Sequence, residues 1–233
     1  MRNKVAFFFI VLSLIASVSL TYGQKKKKKL PVVRIGTVID GQWERLGEIR
    51  RVFEKEILEL TGGEFDVLFP EEKHIVGDFT NEGINSVIDR LLDDTEVDLI
   101  LAIGPLSSHE ISRRKELSKP VIAPFVLDPE IQKLPLEGDA SGVNNLSYIT
   151  FPAHIVEDIE LFRKIVPFTK LAMLLSRAVH AGIPELHANI LKELGEMGLE
   201  VTIVPVGAST DKALASMPSN VQAVYLAPLI HLI

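Results

Sequence analysis

The stretch VDLILAIGPLSSHEIS, residues 97–112, decides the fold, because it joins a buried strand directly to the start of a helix. Residues 97–103 are almost all apolar, which is typical of a strand buried on both faces of a parallel sheet. Ser107 and Glu110 have the spacing of a capping box, so a helix is predicted to begin at Ser107 with its free N–H groups directed at the end of the strand. A strand followed at once by a helix is the repeating unit of an α/β sheet.

The same unit recurs on both sides of this stretch. Further strands are predicted at 32–39, near 65, and at 121–126, 171–175, 201–206 and 223–227. Amphipathic helices are predicted between them, with apolar faces formed by Leu46, Ile49, Phe53, Ile57 and Leu60 and by Ile84, Val87, Ile88, Leu91 and Leu92. Later helices are predicted at 153–166, at 184–197 and from 210. The predicted fold class is therefore α/β, with right-handed crossover connections.

A long irregular connection is predicted at 127–152, and a fresh series of strands and helices follows it. Two doubly wound parallel-sheet lobes explain this break better than one continuous sheet. The domains are predicted to be an N-terminal lobe at 31–150 and a partial C-terminal lobe at 151–233. Because no helix follows the last predicted strand, we expect an incomplete second lobe with exposed apolar surface.

The N-terminus has the pattern of a secretory signal peptide at 1–23: Arg2 and Lys4, an apolar run at 5–20, and small residues before a possible cut ahead of Gln24. The predicted location is therefore periplasmic or extracellular. A basic linker at 24–30 follows, and a lysine cluster in that position favours the cytoplasmic side of a membrane. The pattern leaves cleavage and an uncleaved anchor both open.

Composition excludes several classes of function. Lys and Arg number 25 against 31 Asp and Glu, and no basic stripe lies within the fold, so nucleic acid is not an expected partner. The absence of cysteine excludes disulfides, thiolate catalysis and iron–sulfur clusters. No phosphate-binding loop or nucleophile elbow is present, and no pair of histidines has zinc-site spacing. No cofactor, metal or catalytic residue is therefore expected.

Candidate binding residues follow the predicted strands, where open α/β sheets bind their ligands. Asp40 and Trp43 follow the first strand, and the indole is suited equally to stacking on a ligand and to packing. Ser107 and Ser108 either bind an anion at the helix start or only cap the helix. Asp128 either accepts a hydrogen bond from a ligand amine or initiates a turn.

Several segments, in this order, resemble the ABC transporter substrate-binding family with the type I periplasmic binding protein fold. They are VVRIGTVIDG (32–41), VDLILAIGPLSSHEIS (97–112), KPVIAPFVLDPE (119–130), SGVNNLSYI (141–149), KLAMLLSR (170–177), LEVTIVPVGAST (199–210) and AVYLAPL (223–229). The resemblance implies two lobes that close on a small molecule, often an amino acid or similar metabolite, and pass it to a membrane permease.

By position, the resemblance implies that Ser107 and Ser108 hold a ligand carboxylate, that Asp128 lines the cleft, and that Ser176 and Arg177 contribute from the opposing lobe. Relatives commonly have an Asn-Pro turn where this chain has Ser176 and Arg177. They also have Asp or Asn soon after the last strand shown here, where this chain has apolar residues. An amino-group contact is therefore expected to be missing.

The leading hypothesis is an exported solute-binding protein that closes by hinge motion on a small polar, amino-acid-like metabolite, for delivery to an ABC transporter permease. One alternative is a cell-envelope α/β enzyme that acts on a small anionic substrate, with Asp40 and His109 as acid and base. Another is a structural module that binds no ligand.

Overall fold

The structure is a computed structural model, and it describes residues 29–42, 46–138, 140–150 and 154–227. The strands are β1 (Val32–Ile39), β2 (Asp66–Leu68), β3 (His74–Val76), β4 (Leu99–Ile103), β5 (Val121–Val126), β6 (Leu146–Thr150), β7 (Lys170–Ser176), β8 (Glu200–Val206) and β9 (Ala223–Leu226). The helices are α1 (Leu46–Thr61), α2 (Asn81–Asp93), α3 (Pro105–Ser112), α4 (Ile155–Ile165), α5 (Arg177–Gly182), α6 (Pro184–Glu196) and α7 (Thr210–Ala215).

The first sheet is parallel throughout and has the order β2-β1-β4-β5-β6. β3 also pairs with β1, at residues 37–39, whereas β2 pairs with residues 32–34. β4 pairs with one edge of β1, so β2 and β3 share the opposite edge. They therefore form the two halves of one interrupted strand. From β1 the chain first runs to β2 and β3 on one side of β1, and it then crosses to β4 on the other side, as in a doubly wound fold.

The second sheet has the order β8-β7-β9 and is also parallel. Two parallel sheets were predicted, and the part of the chain that the structure describes contains two. Contacts group the described residues from Val32 onward into one compact unit that includes both sheets. The lobe boundaries at 150 and 151 stay a prediction.

Both sheets are covered on both faces by apolar side chains. One face of the first sheet packs on α2 and α3 around Ile88, Ile100 and Leu106, and the other packs on α1. The second sheet packs on α4 and α6 around Met173, and on α7 across its opposite face. Coverage on both faces is the reason that the strands read as continuous apolar runs.

Three predictions about elements were wrong. β6 lies inside the predicted irregular connection, because its outer position leaves only Leu146 of its residues buried and the strand lacks an apolar run. Short β3 was not predicted. Leu60 is 82% exposed, although the periodicity placed it on the buried face of α1. Each error concerns an element or position at the edge of a core, where periodicity is a weak guide.

The predicted leader at 1–23, residues 24–28 of the predicted linker, Trp43 and residues 228–233 lie outside the described residues. Within the described ranges, no helix combines the length and the apolar character needed to cross a membrane. On β9, an edge strand of the second sheet as described, Val224 is 44% exposed and Leu226 is 64% exposed. These two side chains form an exposed apolar surface on the second sheet.

Candidate functional site

The site is positioned by the two points at which the strand order reverses. In the first sheet this point lies between β1 and β4, whose carboxyl ends are followed by Asp40 and Gly104. In the second sheet it lies between β7 and β9, and β7 ends at Ser176. Ligands of open α/β sheets bind at such points.

Asp40 is buried at the start of α3, with 7% of the residue exposed. Its Oδ2 atom accepts a hydrogen bond from the N–H of Leu106 at 2.9 Å, and its Oδ1 atom accepts one from the N–H of Ser107 at 2.8 Å. The N–H groups in the first turn of a helix have no partner within the helix. Asp40 therefore supplies the anion that the start of α3 attracts. We call Asp40, Gly104, Leu106 and Ser107 the Asp40 seat.

Gly104 makes room for this carboxylate. Its φ is 149°, a backbone conformation that L side chains rarely adopt, and a Cβ atom there would overlap the Asp40 carboxylate. The helix begins at Pro105 with Gly104 as its N-cap, so the predicted start at Ser107 was wrong. The physical reason is that the capping group comes from β1 rather than from the helix's own sequence, while Pro105 suits a first helical position.

Burial raises the pKa of Asp40 from 3.8 to about 6. The hydrogen bonds from Leu106 and Ser107 act in the opposite direction, because they favour the charged carboxylate. Asp40 consequently changes charge in the range just below neutral pH.

Ser107 and Ser108 are fully buried, and each has a partner within the protein. The Ser107 hydroxyl donates to the carbonyl of Gly104 at 3.2 Å. The Ser108 hydroxyl donates to the carbonyl of Ala102 at 3.1 Å and accepts from the N–H of Phe125 at 3.2 Å, which ties α3 to β4 and β5. A ligand contact by either serine stays a prediction.

Asp128 initiates a turn after β5. Its Oδ1 atom accepts from the N–H of Ile131 at 2.9 Å, and its carbonyl accepts from the N–H of Gln132 at 2.9 Å. The Gln132 side chain closes the turn, because its Oε1 atom accepts from the N–H groups of Leu127 and Asp128 at 2.9 and 2.8 Å. The turn interpretation of Asp128 is therefore observed, and its contact with a ligand stays a prediction.

The same glutamine fixes the buried ring of His109. The Oε1 atom of Gln132 is already occupied, so its amide nitrogen donates to His109 Nδ1 at 2.8 Å, which assigns the ring hydrogen to Nε2. Burial lowers the pKa of His109, with smaller effects from the charges of Glu110, Arg113 and Glu185. Asp40 and His109 thus have separate partners, the helix N–H groups and Gln132.

The second sheet contributes Ser176 and Arg177. Ser176 is the N-cap of α5, and its hydroxyl accepts from the N–H of Val179 at 3.3 Å. Arg177 is exposed, and its guanidinium lies beside Gly207, the residue after β8. Both predicted residues therefore lie at carboxyl ends of strands in the second sheet.

The elements of the two sheets meet where α5 turns into α6. The Nδ2 atom of Asn81, the first residue of α2, donates at 2.9 Å to the carbonyl of Gly182 and at 2.9 Å to Oε1 of Glu110. Ile183 is fully buried in the same core cluster as Leu106 of the Asp40 seat. The structure therefore brings the region that follows Ser176 and Arg177 against the helix that contains Ser107 and Ser108.

Buried polar atoms without hydrogen-bond partners concentrate on these helices. In the described part of the chain, eight buried side-chain atoms lack such a partner, and two of them belong to the Arg50–Glu54 ion pair at 3.2 Å. The other six are Asn81 Oδ1, His109 Nε2, Ser112 Oγ, His180 Nδ1, Glu185 Oε2 and His187 Nδ1. All six belong to α2, α3, α5 and α6. Unsatisfied polar groups in a native fold point to a ligand, a water or a functional role.

We call Asn81, His109, Gly182 and Glu185 the helix junction. The charge of Glu185 acts on the pKa of both His109 and His187, so Glu185 lies near both rings. His187 packs on His180 with ring centroids 4.2 Å apart, and burial followed by the charge of His180 lowers the pKa of His187. The junction is therefore polar and titratable, beside an apolar contact at Ile183.

Sequence reasoning missed Asn81, Gln132 and Glu185. A signal was available for two of them: Thr80 is a good N-cap residue directly before Asn81, and Pro184 marks the helix start that contains Glu185. No local pattern singles out Gln132, whose role depends on the distant ring of His109. In the described ranges, no group of three or more histidine and acidic side chains is arranged to hold a metal ion.

No protein-family profile and no curated protein matches this chain. Among solved structures, the chain is similar to the ABC domain from Streptococcus pneumoniae in complex with L-Trp, with a TM-score of 0.61, 17% identity, and coverage of 84% of this chain and 66% of that one. It is also similar to a conserved domain protein from Vibrio cholerae, with a TM-score of 0.55, 13% identity, and coverage of 76% and 58%.

A periplasmic binding protein type 1 from Bordetella pertussis gives a TM-score of 0.49 at 17% identity, with coverage of 85% of this chain and 55% of that one. The likeness to the pneumococcal and Vibrio structures confirms the predicted α/β fold. This chain thus spans less than two thirds of the length of each of the three structures.

Proposed function

We propose that this chain acts as a solute-binding protein, which captures a small polar metabolite between two lobes and delivers it to an ABC transporter permease. The observation that carries the proposal is the convergence of the two sheets' ligand-binding ends. The turn that follows Ser176 and Arg177 packs on the helix of the Asp40 seat through Gly182 and Ile183. A molecule bound there would touch elements of both sheets, so its binding energy would favour closure.

The proposed binding region contains the residues predicted from the sequence: Asp40, Trp43, Ser107, Ser108, Asp128, Ser176 and Arg177. Arg177 is the exposed cation of this group and is suited to an anionic part of the ligand. The serines, which have protein partners, would shape the region rather than release their hydrogen bonds.

The proposal predicts binding without turnover. An enzyme would need an acid and a base that share a substrate atom. Asp40 is held by the N–H groups of Leu106 and Ser107, and His109 is held by Gln132, so the two groups are not paired with each other as an acid and a base. The fold likeness to a protein in complex with L-Trp also supports binding.

Export to the periplasm or the extracellular space is part of the proposal, and it rests on the leader pattern at 1–23. A membrane permease as the partner rests on the family resemblance. Both would be tested by locating the protein in fractionated cells and by measuring uptake of its ligand with and without it.

The direct test is a thermal-shift screen of the chain from Gln24 onward against amino acids, amines, nucleosides and small aromatic acids. We expect one chemical class to raise the melting temperature progressively with concentration, because a ligand of the folded state stabilises it by mass action. Arg177→Ala should weaken an anionic ligand, whereas Arg51→Ala, at an exposed position on α1, should not. If no metabolite shifts the melting temperature, the chain is not a solute-binding protein. If mass spectrometry shows the bound molecule converted, it is an enzyme.

A further inference from the structure

We infer that the helix junction recognises a cationic amine on the ligand through Glu185 and Asn81, and that no ligand carboxylate is held at the start of α3. The inference rests on the proposed function and specifies the class of solute. It is carried by two sets of contacts, the occupied N–H groups of the Asp40 seat and the unoccupied acceptors of the junction.

The Asp40 seat has no place for a second carboxylate. The N–H groups of Leu106 and Ser107 both donate to Asp40, and α3 offers no third free N–H in its first turn, because Pro105 has none and Ser108 donates to the carbonyl of Gly104. A ligand carboxylate would also meet the negative charge of Asp40 at close range. The Asp40 carboxylate therefore occupies the position in which the family resemblance implied a ligand carboxylate.

Glu185 is a hydrogen-bond acceptor in need of a donor. It lies in the first turn of α6. Its Oε2 atom is buried without a hydrogen-bond partner among the described residues. A buried carboxylate oxygen without a donor lacks a hydrogen bond that water would supply in the unfolded chain, so a cation supplied by a ligand would stabilise it.

Asn81 presents a second acceptor from the other side of the junction. Its Nδ2 atom donates to both Gly182 and Glu110, which fixes the amide so that Oδ1 is directed elsewhere. Oδ1 is buried and lacks a partner in the described part of the chain. It lies against the Cα of Gly182, three residues before Glu185, where a Cβ atom would be 2.5 Å from it.

Donors are fewer at the junction. His109 Nε2–H is the one donor whose hydrogen position the Gln132 contact assigns, and Ser112, His180 and His187 can act in either sense. Two acceptors without partners, one of them a carboxylate oxygen, match a protonated amine with its several N–H groups. The resemblance implied an amino-group contact that this chain lacks near Ser176 and Arg177. The acceptors of the helix junction, Asn81 and Glu185, lie at other positions in the sequence and would supply a different contact for the amine.

The test uses amines and carboxylic acids of matched skeletons: tryptamine and 3-indolepropionic acid, phenethylamine and 3-phenylpropionic acid, and isopentylamine and 4-methylpentanoic acid. The chain from Gln24 onward is titrated with each by calorimetry and thermal shift at pH 7.5, where the amines are protonated. We expect an amine to bind at least about tenfold more tightly than the acid of its skeleton. Equal or tighter binding of the acid would overturn the inference.

Glu185→Gln and Glu196→Gln form the matched pair of variants. Glu196 lies on the same helix, but its side chain is 68% exposed and 4.0 Å from Lys192, so its loss should change nothing. Glu185→Gln should weaken binding of the amine by at least about tenfold and leave the melting temperature of the unliganded protein unchanged, because Oε2 has no hydrogen bond to lose among the described residues. A lower melting temperature with unchanged amine binding would show that Glu185 is structural, and would overturn the inference.

The failures of the two proposals are distinguishable. If the six probes do not bind but another metabolite does, Glu185→Gln is tested on that metabolite. If the variant binds a solute with a cationic nitrogen more weakly than the wild type does, the result supports the inference. If the variant binds the solute as tightly as the wild type, or if the solute is purely anionic, the inference is overturned while the proposed function stands. If no metabolite binds at all, the proposed function fails as well.

Discussion

Asp40 and Glu185 are two carboxylates at the starts of helices, and the chain treats them in opposite ways. Asp40 accepts two N–H hydrogen bonds, and Gly104 leaves room for its carboxylate. Glu185 Oε2 is buried with no hydrogen-bond partner in the described structure. Both lie at a helix start, so the difference reflects what surrounds them rather than the local sequence. A satisfied carboxylate holds a fold together, whereas an unsatisfied one costs stability and is kept for another role.

The contrast extends to the neighbours of each carboxylate. Around the Asp40 seat, Ser107 and Ser108 both have partners in the protein. Around the helix junction, His109 and Asn81 each retain a buried atom without one. We therefore expect substitutions at the seat to act on stability and substitutions at the junction to act on binding and on pH dependence.

Gly104→Ala would break the seat. The φ of 149° disfavours alanine, and the new Cβ would displace the Asp40 carboxylate from its N–H donors. We expect a loss of about 4 kcal/mol in the free energy of unfolding, measured by urea denaturation. The control is Gly195→Ala on α6, where nothing lies within 4 Å of the added Cβ, and a gain of about 0.5 kcal/mol is expected. Equal effects of the two substitutions would contradict the requirement for glycine at position 104.

Asp40→Asn tests whether the buried carboxylate of the Asp40 seat makes stability depend on pH. The folded-state pKa of about 6 lies above the ordinary value of 3.8, so the folded protein binds more protons between these values and the contribution of Asp40 to stability is lost as pH rises from about 4 to 6. The contribution of this group is about 3 kcal/mol, fully present below pH 4 and lost above pH 6. The asparagine variant should lack this slope.

Urea denaturation of both proteins at intervals from pH 4 to 7 would measure the slope. Asp211→Asn, at an exposed position on α7, should leave the wild-type profile unchanged. A wild-type profile parallel to that of Asp40→Asn would show that Asp40 is not strained by its burial.

The fold could be predicted from the sequence where strands are buried on both faces. The apolar runs that became β1, β4, β5, β7 and β8 need no knowledge of the tertiary structure, because both faces of these strands pack on apolar side chains. β6 could not be predicted in that way, since it pairs with β5 alone in the first sheet and only Leu146 is buried. β6 forms because it pairs with β5, and such pairing leaves no pattern in the local sequence.

The candidate site was predictable as a set of strand ends but not as a set of contacts. Asp40, Ser107 and Ser176 do follow strands, as expected from the topology. The sequence could not show that Asp40 caps a helix 66 residues away, because that bond joins two separate units. Glu185 was overlooked for a related reason: a glutamate at a helix start is common, and only the packing of α6 makes its Oε2 atom buried and unpartnered.

His109→Leu tests the junction through acid stability. Burial lowers the pKa of His109 in the folded state, so the unfolded chain binds more protons and the contribution of His109 to stability is lost as pH falls below about 6.5, opposite in sign to that of Asp40. Near neutral pH the variant should lose about 1 kcal/mol, because the Gln132 amide loses its acceptor. Thermal unfolding at pH 5 and 7.5 should show a smaller pH difference in the variant, although His187, whose pKa is also lowered, keeps part of it.

The exposed His154 is the control, and His154→Leu should keep the full pH difference of the wild type. If His109→Leu also keeps it, the acid sensitivity of the fold originates elsewhere.

Asp128→Ala has the smallest expected effect and decides between the two interpretations of that residue. The variant loses one hydrogen bond at the start of a turn, from the N–H of Ile131, while Gln132 still accepts from the N–H groups of Leu127 and Asp128. The expected loss is about 0.5–1 kcal/mol by urea denaturation, because the residue is only part-buried and water can replace its carboxylate. If Asp128 only initiates the turn, affinity for any solute found in the screen stays unchanged. A tenfold or greater loss of affinity, with the same small loss of stability, would instead place Asp128 in the binding region. One side chain would then both initiate a turn and contact the ligand.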